Sequence, residues 1–263
     1  MKLGFIGVGN MGKAILEGLL RSGKVSSTDV FVRNSSDRST RNVAEETGAV
    51  FCKGLEEVVE NSDIIFLGVK PYLVGTVLDE VSLSLKNKIV ISMAAAVEIN
   101  DLEKKIPETK IVRIMPNTPV KIGSGVVGVT FNSLVTAEEK TLVLNLLNNL
   151  GIAEEILEKD MAALTALSGS GPAYGYLFIE ALADGAVLNG LKRDVAYRLA
   201  ASTVLGAAKM LLETKEHPGK LKDDVCSPSG STIEAVRVLE EKNFRSAVIE
   251  CEKACFDKLD RMK

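Results

Sequence analysis

The chain of 263 residues has one histidine, no tryptophan, four cysteines and no excess of positive charge. Each scarcity removes a class of function. With only His217, beside Pro218 and Gly219, no histidine-built zinc cluster can form, and a histidine-centred catalytic triad is disfavoured. Cys52, Cys226, Cys251 and Cys255 are too few for a disulfide framework in a chain this long, so they read as reduced thiols of a cytoplasmic protein. Cys251 and Cys255, four apart, share a helix face and read as core residues, not as metal ligands. The 32 Lys and Arg against 35 Asp and Glu give a net charge of −3, without the basic stripe that nucleic acid demands. Long apolar runs are also missing. The longest uncharged stretch, residues 161–179, is broken by Gly169-Ser170-Gly171-Pro172, so no membrane span is expected. The apolar run Leu3–Val8 is too short for a signal peptide, and the segment is not a transit sequence. Internal repeats and low-complexity segments are absent.

What is present is an alternation of short β-branched runs with helical stretches. Strands are expected at 2–6, 30–33, 63–69, 88–92 and 110–115, each nearly all apolar and followed by a turn or a helix. Continuous apolar strands separated by helices specify an α/β fold, a doubly wound parallel sheet covered on both faces. A further strand pair, near 125–131 and 152–156, flanks a helix at 136–150. That helix opens on the capping-box pattern Thr136-Ala-Glu-Glu139 and stops before Gly151. Past residue 160 only helices are expected, at 160–167, 172–189, 193–213, 219–225 and 232–262, so the chain divides into residues 1–159 and an all-helical 160–263. The 172–189 and 193–213 segments are apolar on nearly every side, and Asn189-Gly190 separates them. A helix of that kind is buried. A tail of about a hundred residues cannot bury two of them alone, which implies a homodimer with interlocked helices.

Gly7-Val8-Gly9-Asn10-Met11-Gly12 lies directly between the first strand and the first helix. The first glycine permits a tight turn, the second lets backbone approach a pyrophosphate, and the third lets helix pack on strand. The helix start adds unpaired amides and a positive dipole end. An NAD site wants a carboxylate about twenty residues further on. Here the second strand ends in Arg33-Asn34-Ser35-Ser36-Asp37-Arg38. Two arginines, two hydroxyls and an amide suit a 2′-phosphate, with Asp37 read as a helix N-cap, so NADPH is the expected cofactor and NADH the alternative. Three other strand ends face the same ligand crevice: Val69-Lys70-Pro71, Ser92-Met93-Ala94-Ala95 and Met115-Pro116-Asn117-Thr118-Pro119. The small residues Ala94 and Ala95 leave room for a ribose or nicotinamide ring, and the two prolines stiffen the loop carrying Asn117. Lys70 could act as an acid, but a lysine before proline at a strand end reads more simply as solvated.

Two loops in the helical half combine hydroxyls, glycines and a helix start: Leu167-Ser168-Gly169-Ser170-Gly171-Pro172-Ala173-Tyr174, and Cys226-Ser227-Pro228-Ser229-Gly230-Ser231-Thr232-Ile233-Glu234. The second could bind a carboxylate on its amides and hydroxyls. Equally, Ser231 and Glu234 spell a capping box that would consume those donors. The residues alone leave both readings open.

Taken together, Gly7–Gly12, Val69-Lys70-Pro71, Met115-Pro116-Asn117-Thr118-Pro119, Leu167–Tyr174, Ser227–Thr232 and the stretch from His217-Pro218-Gly219 to Val238-Leu239-Glu240 resemble the Δ1-pyrroline-5-carboxylate reductases over nearly the whole chain. The resemblance implies a Rossmann domain followed by an all-helical dimerisation domain, with dimers often assembled into decamers. It implies hydride transfer from NAD(P)H to the imine carbon of (S)-1-pyrroline-5-carboxylate, giving L-proline in the last step of proline biosynthesis. Carried onto matching positions, it puts the substrate carboxylate on Ser227, Gly230, Ser231 and Thr232, with the Thr232 hydroxyl toward the ring nitrogen as the catalytic contact. That favours the ligand reading of the second loop. It puts the cofactor on Gly7 to Gly12, Arg33, Asn34, Ser35, Arg38, Val69, Lys70, Pro71, Ala94, Ala95 and Asn117, with no metal. A protonated imine accepts hydride readily, which fits the scarcity of histidine. Three positions depart from the family pattern: Ser229 and Ala96 stand where relatives commonly carry glycine, Asp224 stands where some relatives carry an asparagine near the cofactor, and a serine at 229 is strained if that position needs positive φ. A β-hydroxyacid dehydrogenase shares the N-terminal signature, but it places a catalytic lysine on a glycine-rich helix in its second half; after Gly171 no lysine occurs here until Lys192. A catalytically silent NADPH-binding or redox-sensing protein is a further alternative, which the presence of Ser227 and Thr232 disfavours.

Overall fold

Residues 1–261 are described by a computed structural model. The first part alternates as its apolar runs require: β1 (Leu3–Ile6), α1 (Asn10–Arg21), β2 (Val30–Arg33), α2 (Asp37–Thr47), β3 (Val50–Phe51), α3 (Leu55–Glu60), β4 (Ile64–Leu67), α4 (Pro71–Val81), β5 (Ile89–Ser92), α5 (Ile99–Lys105), β6 (Lys110–Pro116), β7 (Gly125–Phe131), α6 (Ala137–Leu147), β8 (Gly151–Glu155) and α7 (Met161–Leu164). The eight strands form one sheet in the order β3-β2-β1-β4-β5-β6-β7-β8. All neighbours are parallel except β6 and β7. The reversal of direction from β1–β2 to β1–β4 makes a crevice beyond the carboxyl ends of these strands, where ligands bind in such sheets.

Strand periodicity sorts the core into two layers. Leu3, Phe5, Ile64, Phe66, Ile89 and Ile91 face α1 and α6, with Phe5 and Phe66 stacked at 4.6 Å between ring centroids. Ile6, Ile65, Leu67 and Val90 face α3, α4 and α5. Thr136 and Glu139 form the expected capping box at the start of α6, the hydroxyl accepting from the Glu139 N–H and the carboxylate from the Thr136 N–H.

β3 has no counterpart in the sequence reading, because two residues are too short to show a period. The helix expected at 160–167 ends its α-helical part at Leu164 and runs on as a π turn, Thr165–Gly169. The chain separates into compact units: residues 1–170 with the segment from Lys258 onward, and Gly171–Asp257.

The second unit holds α8 (Gly171–Leu188), α9 (Arg193–Thr214), α10 (Pro218–Val225) and α11 (Ser231–Glu241), with most of α12 (Phe244–Asp260). The single helix expected at 232–262 is therefore two, because Asn243 takes φ +58° and breaks it; its expected end at Met262 lies outside the described residues. Asparagine is among the few residues that tolerate this left-handed geometry. Gly190, at φ +98°, makes the break expected after Asn189. Within this unit α8 and α9 bury only Ala183, Ala196 and Ala200 between them, while Leu188 is 88% and Leu205 67% exposed. The apolar faces read from the sequence as buried thus lie bare in a single chain. α9 is also long and apolar enough to cross a membrane by length and composition. It carries Arg198 and Lys209 within its span, however, and packs on α8, so its bare face suits a second protein surface. An apolar face this continuous is unusual on a monomer. In sedimentation equilibrium the protein should be a dimer or larger, with a thermal midpoint that rises with protein concentration; a stable monomer would contradict this reading of the faces.

Candidate active site

The turn from β1 into α1 sets the geometry of the crevice. Gly7 sits at φ +85°, and a Cβ there would lie 2.6 Å from the Val69 side chain, so only glycine allows this turn. Gly9 caps α1 in extended conformation with no side-chain hydrogen bond, and a Cβ at Gly9 would meet nothing within 4 Å. The first intrahelical bond is from the Lys13 N–H to the Gly9 carbonyl. The N–H groups of Asn10, Met11 and Gly12 therefore have no acceptor within the helix, and no acidic residue stands in the first turn. These are the donors and the room that a pyrophosphate requires.

Asn34 fastens this loop to the end of β2. Its Oδ1 accepts from the Val8 N–H at 2.5 Å, its Nδ2 donates to the Ser39 carbonyl, and its own N–H donates to Thr40 Oγ1. The Gly7 N–H donates to the Arg33 carbonyl at 2.9 Å. Asn34 thus shapes the glycine loop through bonds already made. Ser36, not Asp37, is the N-cap of α2, accepting from the Ser39 N–H. The carboxylate of Asp37 instead pairs with Arg33 at 2.6 Å, and the guanidinium beside it holds the Asp37 carboxyl below its ordinary range.

Beyond these strand ends lies a cavity of about 350 Å³. Gly7, Arg33, Asn34, Ser35 and Val69, all expected from the sequence, meet there with Lys53, Gly54, Leu55, Thr76 and Val77, which were not. No motif marks the latter group; they come into place because β3 pairs with β2 and α4 follows β4. Arg38 is exposed and does not line the cavity. Lys70 is an exposed residue preceding Pro71 at the start of α4. Cys52 is a core thiol, pushed up to about 11 by burial.

Further along the strand ends, Ala94 is buried while Ala95 and Ala96 line a smaller cavity of about 140 Å³ with Arg113, Met115 and Glu158. Ala96, which stands where relatives commonly carry glycine, takes φ +59°, a left-handed conformation. Glu158 fastens this loop: one oxygen accepts from both the Ile99 N–H and Arg113 Nη1, each at 2.8 Å. The Arg113 side chain is 7% exposed, and its Nε has no partner among the described residues. Asn117 is buried and spends its amide on structure, Oδ1 accepting from the Val126 N–H and Nδ2 donating to the Ser168 carbonyl. It pins the π turn to the sheet, a different task from the ligand contact expected of it.

In the second unit, the Gly230 N–H donates to the Ser227 carbonyl across Pro228 and Ser229, with Ser229 at φ +59°. Proline followed by positive φ is the pattern of a type II turn. A Cβ at Gly230 would lie 2.4 Å from Ser227 Oγ, so a larger residue there would push the Ser227 side chain aside. α11 begins at Ser231 with Gly230 as N-cap and no side-chain cap. Glu234 does not fold back; it pairs with Arg237 at 2.8 Å. The capping box left open by the sequence is absent, and the amides of Ser231 and Thr232 stay available beside three hydroxyls.

Two stability effects follow. Glu158→Ala leaves Arg113 buried and uncompensated and should cost about 3 kcal/mol in urea unfolding; a change under about 1 kcal/mol would show that the pair fastens nothing. Ser229→Gly relieves a left-handed serine and should gain about 1 kcal/mol. Destabilisation by this change would contradict the strain at the turn.

Comparisons with known proteins give the family. A family model described as pyrroline-5-carboxylate reductase dimerisation matches residues 158–262, and one described as NADP oxidoreductase coenzyme F420-dependent matches residues 2–96. The chain is 48% identical to a pyrroline-5-carboxylate reductase of Escherichia coli, covering 99% of this chain and 98% of that one. Among solved structures it is similar to a Plasmodium falciparum pyrroline carboxylate reductase with NADP bound, at 35% identity and TM-score 0.87, covering 100% of this chain and 98% of that one. It is likewise similar to a pyrroline-5-carboxylate reductase from Coxiella burnetii, at 33% identity and TM-score 0.91 with the same coverage. With its glycine turn, its uncapped α11 and its dimerisation helices in one continuous match, the chain belongs to the pyrroline-5-carboxylate reductase family.

Proposed function

We infer that the protein reduces (S)-1-pyrroline-5-carboxylate to L-proline with NADPH. The observation that carries this reading is a pair of uncapped helix starts, α1 beyond the glycine turn and α11 beyond the serine turn. One suits a pyrophosphate and the other a carboxylate. Bound NADPH supplies the hydride. Asn10, Met11 and Gly12 hold its diphosphate on their N–H groups, with Gly9 leaving the space. Arg33, Ser35 and the wall of the larger cavity take the adenosine end. Val69, Lys70, Pro71, Ala94 and Ala95 border the path toward the ring, and Asn34 and Asn117 keep the flanking loops in shape.

Ser227, Ser231 and Thr232 grip the substrate carboxylate through hydroxyls and amides, with Gly230 allowing the close turn. The Thr232 hydroxyl faces the ring nitrogen. When the protonated imine accepts hydride at carbon, the C=N π pair moves onto nitrogen and leaves a neutral amine. No nucleophile is required. The protein's task is to hold the donor and acceptor carbons at about 3–3.5 Å and to neutralise one carboxylate. The helical half, from about residue 160, serves as dimerisation domain; assembly of dimers into a decamer and a cytoplasmic location complete the reading.

Purified protein should oxidise NADPH only when pyrroline-5-carboxylate is supplied. Thr232→Ala should lower kcat/KM about tenfold or more with NADPH affinity unchanged, the loss of one hydrogen bond near a developing charge change. An unaltered rate would remove Thr232 from its role, and turnover of a 3-hydroxy acid in place of the imine would favour a β-hydroxyacid dehydrogenase.

A further inference from the structure

Four cations stand on the segments around the end of β2, and their partners differ. Arg33 is already spent: it pairs with Asp37, its Nη1 also donates to the Cys52 carbonyl, and its side chain is only 17% exposed. Arg41 lies over the Phe51 ring at 4.7 Å. Arg38 stays outside the lining. Lys53 is the exception. It lines the cavity beside Arg33, Asn34 and Ser35, it is exposed, and its ammonium makes no ion pair among the described residues. Its backbone is nonetheless fixed, because the Lys53 N–H donates to Glu57 Oε2 at 2.6 Å.

We propose that Lys53, not Arg33 alone, supplies the net positive charge for the 2′-phosphate of NADPH, and that Asp37 weakens this subsite by neutralising Arg33. The proposal rests on the NADPH reading above and assigns its specificity to Lys53, which no motif marks, and to Asp37, which the residues alone mark only as a helix N-cap. The charge balance supports it. An Arg33–Asp37 pair presents no net charge to an incoming dianion, so without Lys53 the cavity would discriminate poorly between phosphorylated and unphosphorylated ribose. The carboxylate that lines the cavity is Glu80, on α4 with Leu73, Thr76 and Val77, whereas Lys53 stands with the β2 residues. Asp37 feels the charges of both Arg33 and Lys53, which places all three groups in one electrostatic neighbourhood.

The test uses 2′,5′-ADP and 5′-ADP as probes, titrated calorimetrically into the full-length protein, so that binding is read without turnover. Lys53→Met should weaken 2′,5′-ADP about tenfold, the size of one hydrogen bond to a charged group, and leave 5′-ADP within about twofold. Lys53→Arg should restore the preference. Asp37→Asn should act in the opposite direction, tightening 2′,5′-ADP several-fold by freeing Arg33. Equal losses for the two nucleotides in Lys53→Met, no loss at all, or weaker 2′,5′-ADP binding in Asp37→Asn would each overturn the proposal. If the unmodified protein bound neither probe, the cofactor reading itself would fail, a result distinct from the loss of preference.

Discussion

The whole arrangement depends on one close approach, that of the backbone at Gly7 to the chain at Gly68 and Val69. β1 and β4 are adjacent parallel strands, and where they end their loops come within van der Waals contact; a Cβ at Gly68 would lie 2.3 Å from the Gly7 carbonyl oxygen. Only glycine at both places lets β1 turn at once into α1 with its amides facing the crevice. The core makes this a rigid constraint: Phe5 and Phe66, stacked one layer below, fix the two strands against each other. Loosening that contact would turn the α1 dipole away from its anion, at a cost of up to about 1 kcal/mol per charge interaction lost.

A second constraint is that the side chains around the site are mostly engaged with one another. Asn34 is bonded to Val8, Asn117 to Val126 and Ser168, Arg33 to Asp37, and Glu158 to Ile99 and Arg113. What remains for ligands is chiefly backbone N–H groups at helix starts, hydroxyls and the lysines Lys53 and Lys70. That inventory suits a reaction whose electrophile is activated by its own proton, where positioning outweighs acid–base chemistry. It also places strain next to function. Ala96 and Ser229 both hold left-handed geometry, in loops that the proposed function sets beside its ligands.

Much of this was legible in the residues. Continuous apolar strands separated by helices pointed to the sheet, and glycine spacing pointed to the dinucleotide turn. The bare apolar helices gave the dimer, since no arrangement of a short tail could cover them. Three things were not legible, each for a physical reason. β3 is two residues long and carries no period, so the wall it builds with Lys53 was missed. The break at Asn243 depends on one residue adopting positive φ, which composition does not demand. The partners of Asp37 and Glu234 depend on side-chain direction: a helix N-cap was expected of the first, and a capping box was one of two readings the residues left open for the second, yet each found an arginine three or four residues away.

The central claim is direct hydride delivery to an imine carbon, and isotope transfer tests it most directly. With NADPH deuterated twice at C4 and unlabelled pyrroline-5-carboxylate, the proline formed should carry one deuterium, at Cδ, with one proline per NADPH consumed. Unlabelled proline, or NADPH consumed without proline, would contradict the account.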